Sequence, residues 1–179
     1  MQVNRGIAVE TVRLSENEWQ FINEIIYKIY SITELAEMRK PFLSLTMTLI
    51  PCDSCTFYLA DSKTIVGSPV QFGLDQVIGK YIDEKFYEQD YMRWIYLSGL
   101  NRAFRQSDYI SNEEQKKTTY YKLAYAPVGI EYQLGLSLSY QDKFLGVVSL
   151  YRNHGHADFS QKDIYILNIF IKHLPLRLH

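Results

Sequence analysis

The sequence contains one short motif whose residue types suit redox or metal chemistry: Cys52 and Cys55, in the segment CDSC. A C-x-x-C pair is typical of redox-active dithiols and of zinc half-sites. A redox pair normally lies at the first turn of a helix, where the helix dipole lowers a thiol pKa, but this pair directly precedes a predicted strand. We therefore interpret the cysteines as structural, and a redox-sensitive pair is the alternative.

A zinc site would need two further ligands, for which the candidates are His154 and His156. They are far from the cysteines in the chain, and their H-x-H spacing differs from the spacing of zinc sites. The sequence also lacks a phosphate-binding glycine loop and a G-x-S-x-G nucleophile motif, and its carboxylates are dispersed. We expect no metal site, no cofactor, no catalytic residue and no enzymatic activity.

One predicted strand, 131–140, suggests a binding site. Its even positions are apolar and its odd positions are small or polar, and a two-residue period places these sets on opposite faces of a sheet. The polar face either meets water or forms the floor of a ligand cavity, where small side chains leave volume and a polar side chain orients the ligand. In the second case, aromatic residues of earlier segments would form the roof. The predicted ligand-binding residues are Tyr87, Tyr91, Trp94, Tyr121, Gln133 and Ser137.

Apolar periodicity and capping signals predict the elements that position these residues. Ser15 and Ser160 each begin a capping pattern before an apolar helix, and Ser111 caps a helix over 112–125. Thr33 is the predicted cap of a second helix, in which Pro41 is expected to cause a kink or a break. The other predicted elements are strands at 54–61, 64–72, 131–140 and 143–152, a helix near 84–97 and a short edge strand within 101–110.

The resulting order, α-α-β-β-α-β-α-β-β-α, is typical of an α+β domain in which helices cover an antiparallel sheet. No linker or internal repeat interrupts the chain, so we expect a single domain over residues 1–179. The formal net charge of -1 gives no indication of direct nucleic-acid binding. Because neither a membrane-spanning apolar run nor a signal peptide is evident, we expect a cytoplasmic protein with no membrane partner.

The sequence resembles the GAF-like sensor regions that precede the helix-turn-helix in some LuxR-type bacterial transcription regulators. The resemblance lies in YEQDYMRW (87–94), TTYYKLAYAPVGIEYQLGLSL (118–138), FLGVVSLYR (144–152) and DFSQKDIYILNIFIKHL (158–174). In such regulators an F-S-x-x-D element opens the last helix, and Phe159, Ser160 and Asp163 fit it here. None of these residues is implied to be catalytic.

This resemblance implies a GAF/PAS-like three-layer sandwich. The central antiparallel sheet would carry the N- and C-terminal helices on one face and a ligand pocket on the other. The implied function is a sensor that binds an unidentified small molecule and signals through its terminal helices to a DNA-binding helix-turn-helix domain, which would lie outside this chain. A cysteine-dependent GAF-type reductase or redox sensor that uses Cys52 and Cys55 is one alternative, and a dimerisation module without a ligand is another.

The final predicted helix has an apolar face wide enough to need two partners, the sheet and another helix. We therefore expect a homodimer. The predicted interface residues are Ile164, Leu167, Phe170 and Ile171.

Overall fold

The computed structural model describes residues 12–60 and 67–179, which build a five-stranded antiparallel sheet. The strands are β1 (Ser54–Leu59), β2 (Gly67–Phe72), β3 (Ala103–Arg105), β4 (Ile130–Tyr140) and β5 (Lys143–Asn153), in the spatial order β2-β1-β5-β4-β3. The long β4–β5 hairpin turns at Gln141 and Asp142, which both have positive φ (48° and 60°). Two such residues match the right-handed twist of the hairpin, and this hairpin was predicted from the sequence.

Helical layers cover both faces of the sheet, which confirms the predicted α+β sandwich. One layer contains α1 (Glu16–Ser31), α2 (Leu35–Leu49), α6 (Gln161–Ile169) and α7 (Leu174–Leu178). The opposite layer is formed by the segment from 74 to 128 apart from β3, and its helices are α3 (Asp75–Asp83), α4 (Arg93–Leu97), α5 (Asn112–Lys117) and a π-helical turn, Tyr121–Tyr125.

The main core lies between the sheet and the terminal helices. Leu134, Leu136 and Leu138, the even positions of β4, are fully buried there, as the two-residue period predicts. The ring of Phe42 on α2 meets the rings of Phe57 and Phe170 edge to face, at centroid distances of 5.6 and 5.5 Å. This layer is therefore a packed structural core that leaves the other face of the sheet for a site.

The predicted capping signals at three helix starts are confirmed. Ser15 and Ser160 each form a reciprocal capping box, in which the cap hydroxyl accepts from the backbone N–H three residues on and that residue's carboxylate accepts from the cap N–H. The Ser111 hydroxyl accepts from the N–H of Glu114 at the start of α5. These bonds satisfy N–H groups that the first turn of a helix leaves unpaired.

The prediction that Pro41 could break the second helix is wrong, because α2 runs unbroken from Leu35 to Leu49 with Pro41 inside it. Met38, Phe42 and Leu43 on either side of Pro41 are fully buried, and this packing holds the helix together despite the missing N–H. The predicted Thr33 cap is also wrong, since the helix begins after Glu34 and has no side-chain cap.

A single helix near 84–97 was predicted, and the structure contains shorter pieces instead. α3 ends at Asp83, a 3₁₀ turn spans Phe86–Glu88, and α4 begins only at Arg93. Lys85 interrupts the run because it has a left-handed backbone conformation (φ 56°). The Asp90 carboxylate then accepts a hydrogen bond from the backbone N–H of Met92 at 2.9 Å, which favours a turn over a continuous helix.

The two edges of the sheet are short strands, β2 and β3. Pro69 lies within β2 and has no N–H to offer. On the other edge, the side-chain Oδ1 of Asn168 on α6 accepts from the backbone N–H of Ala103 at 2.7 Å. The short strand predicted within 101–110 is confirmed as β3.

The final helix packs most of its predicted interface residues inside the domain. Leu167 and Phe170 are fully buried in the main core, and Ile164 and Ile171 are half-buried against it. The prediction that Leu167 and Phe170 lie at a dimer interface is therefore wrong, because both are fully buried in the main core. The apolar face of the final helix packs mainly against the core of its own chain.

Candidate functional site

The polar face of β4 is covered by protein and does not meet water. Gln133 is 1% exposed and Ser137 is fully buried, both beneath the layer formed by residues 74–128. Of the two interpretations of this strand, the solvent-facing one is therefore wrong. The covered face is the place to look for a ligand site.

Gln133 is the centre of a buried hydrogen-bond network. Its Oε1 accepts from the hydroxyl of Tyr125 at 2.6 Å, while its Nε2 donates to the hydroxyl of Tyr96 at 2.6 Å and to Oγ of Ser149 at 3.0 Å. The Ser137 hydroxyl donates to the backbone carbonyl of Tyr96 at 3.0 Å. Because both ends of the Gln133 amide are satisfied, the residue holds the aromatic layer on the sheet and does not present free polar atoms.

Two adjacent cavities lie beside this network, between the sheet and α3. The first chamber has a volume of about 30 Å³. It is lined by Thr56, Tyr58, Leu74, Val77, Ile78, Tyr81, Tyr120, Ala124, Tyr125, Ile130 and Tyr151. The second chamber has a volume of about 20 Å³. It is lined by Tyr58, Tyr81, Tyr96, Phe144, Val147, Ser149 and Tyr151.

The predicted ligand-binding residues do not line these chambers. Gln133 and Ser137 are one step away, because their hydrogen-bond partners Tyr96, Tyr125 and Ser149 form the walls. Gln133 and Ser137 thus support the residues that line the chambers and do not line them themselves. The chambers lie nearer β1 and β5 than the sequence predicts.

The four predicted roof residues lie farther out. Trp94 is 60% exposed and meets the ring of Tyr109 on the surface at 5.6 Å. The hydroxyl of Tyr121 lies 3.5 Å from Nε2 of His154, and Tyr91 packs on the ring of Tyr120 at 5.7 Å. Tyr87 meets the outer side of the Tyr81 ring at 6.2 Å. The sequence does carry a pattern for part of the chamber lining: Val77, Ile78 and Tyr81 recur at helical spacing along α3, and Leu74 directly precedes that helix.

Thr56 brings a buried hydroxyl to the first chamber. The residue is 1% exposed, and its hydroxyl interacts with the hydroxyl of Tyr151, which lines the same chamber. Burial raises the pKa of the neighbouring Tyr151 to about 12, while the hydroxyls of Thr56 and Ser149 act to lower it. The hydroxyls of Thr56 and Tyr151 are therefore polar groups within an otherwise mostly apolar lining.

Asp90 is a buried carboxyl group behind the wall of the chambers. The Tyr81 hydroxyl donates to its Oδ2 at 3.3 Å, and burial raises the pKa of Asp90 to about 6. The hydrogen bonds from Met92 and Tyr81 and the charge of Arg93 act in the opposite direction without overcoming burial. Asp90 therefore changes charge near neutral pH, next to a residue that lines both chambers.

We expect this titration to be visible in stability. Between about pH 4 and about pH 6 the folded chain keeps the Asp90 proton that the unfolded chain loses, so the contribution of Asp90 to stability is full below pH 4 and is lost as the pH rises through about 6. The free energy of unfolding of the wild type, relative to Asp90→Asn, should thus fall over that range. Urea titrations of both proteins at several pH values measure this difference in the free energy of unfolding. A difference that stays constant or rises between about pH 4 and about pH 6 would contradict the prediction.

The cysteines lie on the other side of the sheet from the chambers. Cys55 is fully buried in the main core and Cys52 is half-buried beside it. Burial raises the pKa of each thiol to about 12. Within residues 12–60 and 67–179, no group of three or more His, Cys, Asp or Glu side chains is arranged to hold a metal ion, and no helix is long and apolar enough to cross a membrane.

Neither protein-family models nor curated proteins match this sequence. Among solved structures, the chain is similar to the N-acylhomoserine lactone-dependent LuxR-family transcription factor CepR2 from Burkholderia cenocepacia, with 13% identity and a TM-score of 0.67 over 90% of this chain and 98% of that one. It is similar to the ligand-binding domain of VqsR from Pseudomonas aeruginosa (14% identity, TM-score 0.65, 92% and 95% covered). It is also similar to the GAF domain of a phosphoenolpyruvate-protein phosphotransferase from Coxiella burnetii (14% identity, TM-score 0.62, 90% and 92% covered). The chain therefore has the GAF-like α+β fold of these structures, as the sequence resemblance implies.

Proposed function

We propose that this chain is the small-molecule-sensing domain of a LuxR-type transcription regulator and has no enzymatic activity. The observation that carries the proposal is the pair of tyrosine-walled chambers, with the buried Thr56 hydroxyl in the first, on the face of the sheet opposite the terminal helices. Structural similarity to CepR2 and VqsR supports it. A DNA-binding domain outside this chain would receive the signal through the terminal helices.

The lining favours a neutral or weakly polar ligand with an apolar body. Among the side chains that the structure describes, both chambers are walled mainly by tyrosine rings and aliphatic groups, with hydroxyls as the polar groups and no ionised side chain in either lining. Such walls favour burial of apolar area, and a few hydroxyls fix orientation. N-acylhomoserine lactones, on which CepR2 depends, belong to this class and are the first compounds to test.

Filling the first chamber tests the site. Ala124 is 2% exposed and lines that chamber, whereas Ala126, two residues on, is exposed. We expect at least one compound, in a screen of N-acylhomoserine lactones and neutral metabolites, to raise the melting temperature of the wild type by mass action. Ala124→Leu should abolish that shift, and Ala126→Leu should preserve it. No hit in the screen, or a shift that survives Ala124→Leu in a folded variant, would contradict the proposal.

A homodimer remains part of the proposal, with a revised surface. The outward side of α1 exposes Trp19, Tyr27 and Tyr30, next to the C-terminal helices. Exposed aromatic groups of this kind mark protein contacts, and a symmetric pair is the commonest arrangement. Sedimentation of the wild type and of Tyr27→Glu tests this surface: the wild type should be a dimer at tens of micromolar and the variant a monomer.

The thiol chemistry separates the sensor from the cysteine-dependent alternative. With pKa values of about 12, both cysteines are thiols at neutral pH, and a reductase or redox sensor needs a thiolate. We expect the native chain to react with a disulfide reagent at least about 30-fold more slowly than the urea-unfolded chain, after allowing for the higher nucleophilicity of a high-pKa thiolate. Native reaction at the unfolded rate would instead support the redox alternative.

A further inference from the structure

Three tyrosines are shared by the two chambers: Tyr58, Tyr81 and Tyr151. The rings of Tyr58 and Tyr81 face each other at a centroid distance of 5.6 Å and an interplanar angle of 41°. They stand where the first chamber ends and the second begins. The chambers are therefore two parts of one space that aromatic rings divide.

Only one of these rings belongs to the helical layer. Tyr58 and Tyr151 are in the paired central strands β1 and β5, where Tyr58 is opposite Val147 and Tyr151 is opposite Ser54. Tyr81 is on the nine-residue helix α3 and is half-buried. Its hydroxyl is held by a hydrogen bond to Asp90 whose length, 3.3 Å, is beyond the usual range. Tyr81 is thus the one ring of the partition that a short helix carries, and not a paired central strand.

Each chamber is too small to hold a metabolite while the rings of Tyr58, Tyr81 and Tyr151 stay between them. Volumes of about 30 and 20 Å³ give room for one to three water molecules each, by the criterion that one water needs about 10–15 Å³. A metabolite with a ring or a short chain fits neither. Binding therefore requires a lining side chain to move, and displacement of Tyr81 joins both chambers at once.

We propose that Tyr81 sets the length of the ligand: its ring closes the passage between the chambers, and a molecule that extends through both binds only when that ring is displaced. The inference rests on the proposed function in one respect, that these chambers are where the ligand binds. Tyr81 acts here as a specificity-determining residue with no chemical role.

Tyr120 provides a matched control, because it is the same residue type, is buried and lines only the first chamber. Two synthetic probes separate the variants: p-cresol, with one ring, and 4-phenylphenol, with two rings in line. Calorimetric titration of Tyr81→Ala should show binding of both probes, since an apolar engineered cavity stays dry and accepts aromatic molecules. Tyr120→Ala should bind p-cresol but bind 4-phenylphenol at least tenfold more weakly than Tyr81→Ala does.

Two more proteins complete the test. Wild type and Tyr81→Phe both keep the ring, so each should bind 4-phenylphenol at least tenfold more weakly than Tyr81→Ala does. If Tyr81→Ala does not fold, Tyr81→Leu takes its place in the comparison. The proposal would be overturned if 4-phenylphenol bound Tyr120→Ala or the wild type as tightly as it binds Tyr81→Ala. It would also be overturned if 4-phenylphenol did not bind Tyr81→Ala at all. A metabolite screen without hits would count against the sensor function, yet would leave this comparison of probes intact.

Discussion

Replacement of Arg152 by methionine is expected to lower the free energy of unfolding by about 3 kcal/mol, the cost of breaking a buried ion pair from one side. Arg152 on β5 forms an ion pair with Asp163 at 3.3 Å, and both side chains are 13% exposed. Without the guanidinium, the Asp163 carboxylate keeps its capping bonds to the start of α6 but loses its charge partner. The domain would thus retain a buried, uncompensated charge.

The same guanidinium also holds three backbone carbonyls. Its Nε donates to Pro51 at 2.9 Å, and its Nη1 donates to Ala157 at 3.3 Å and to Asp158 at 3.0 Å. It lies over the ring of Phe159, 4.1 Å from the centroid. Methionine keeps the apolar contact but supplies none of these donors.

Urea denaturation of the variant measures this loss. Arg102→Met is the control, because Arg102 is exposed and its guanidinium donates to the hydroxyl of Tyr109. That control should change stability by less than about 0.5 kcal/mol, as expected for a surface substitution. An Arg152→Met loss below about 1 kcal/mol would show that the carbonyl contacts and the ion pair contribute little.

Gly146→Ala is the second substitution with a large expected effect, about 3 kcal/mol or more. Gly146 of β5 lies opposite Leu59 of β1, and an added Cβ would stand 2.3 Å from the backbone carbonyl oxygen of Tyr58. Overpacking commonly costs about 1–3 kcal/mol when side chains can adjust. Here the obstacle is backbone in a central strand, so the pair of strands would have to separate.

Gly79→Ala is the matched control for this prediction. Gly79 is inside α3, and an added Cβ meets no atom within 4 Å. Alanine is favoured over glycine in a helix by roughly 0.5–1 kcal/mol, so this variant should be as stable as the wild type or slightly more stable. Denaturation midpoints of the two variants should therefore move in opposite directions, and equal stability of Gly146→Ala and the wild type would contradict the expected clash.

The terminal helices and the β4–β5 hairpin could be predicted because their signals are local. The capping boxes at Ser15 and Ser160 and the alternation along β4 depend on residues close in the chain. The region from 74 to 100 failed for the opposite reason. Lys85 adopts a left-handed conformation that non-glycine residues rarely take, and no short-range pattern encodes it.

The chambers lie on the face of the sheet where the sequence predicts a pocket, but residues other than the predicted ones line them. The alternation along β4 correctly separated Gln133 and Ser137 from the main core. It could not show that Tyr96 and Tyr125 would occupy the polar atoms of Gln133, because those contacts join residues that are separated by other elements. Nor could it place Thr56 at the chamber, since that depends on the pairing of β1 with β5.

The two edge strands, β2 and β3, bear on how readily this chain aggregates at high concentration. A sheet with exposed edges can add strands from other molecules and grow into aggregates. Pro69 removes one N–H from β2, and the amide of Asn168 occupies the N–H of Ala103 on β3, so each edge is obstructed by one residue. Asn168→Leu would leave that N–H without its side-chain acceptor, and we expect such a protein to lose solubility on concentration.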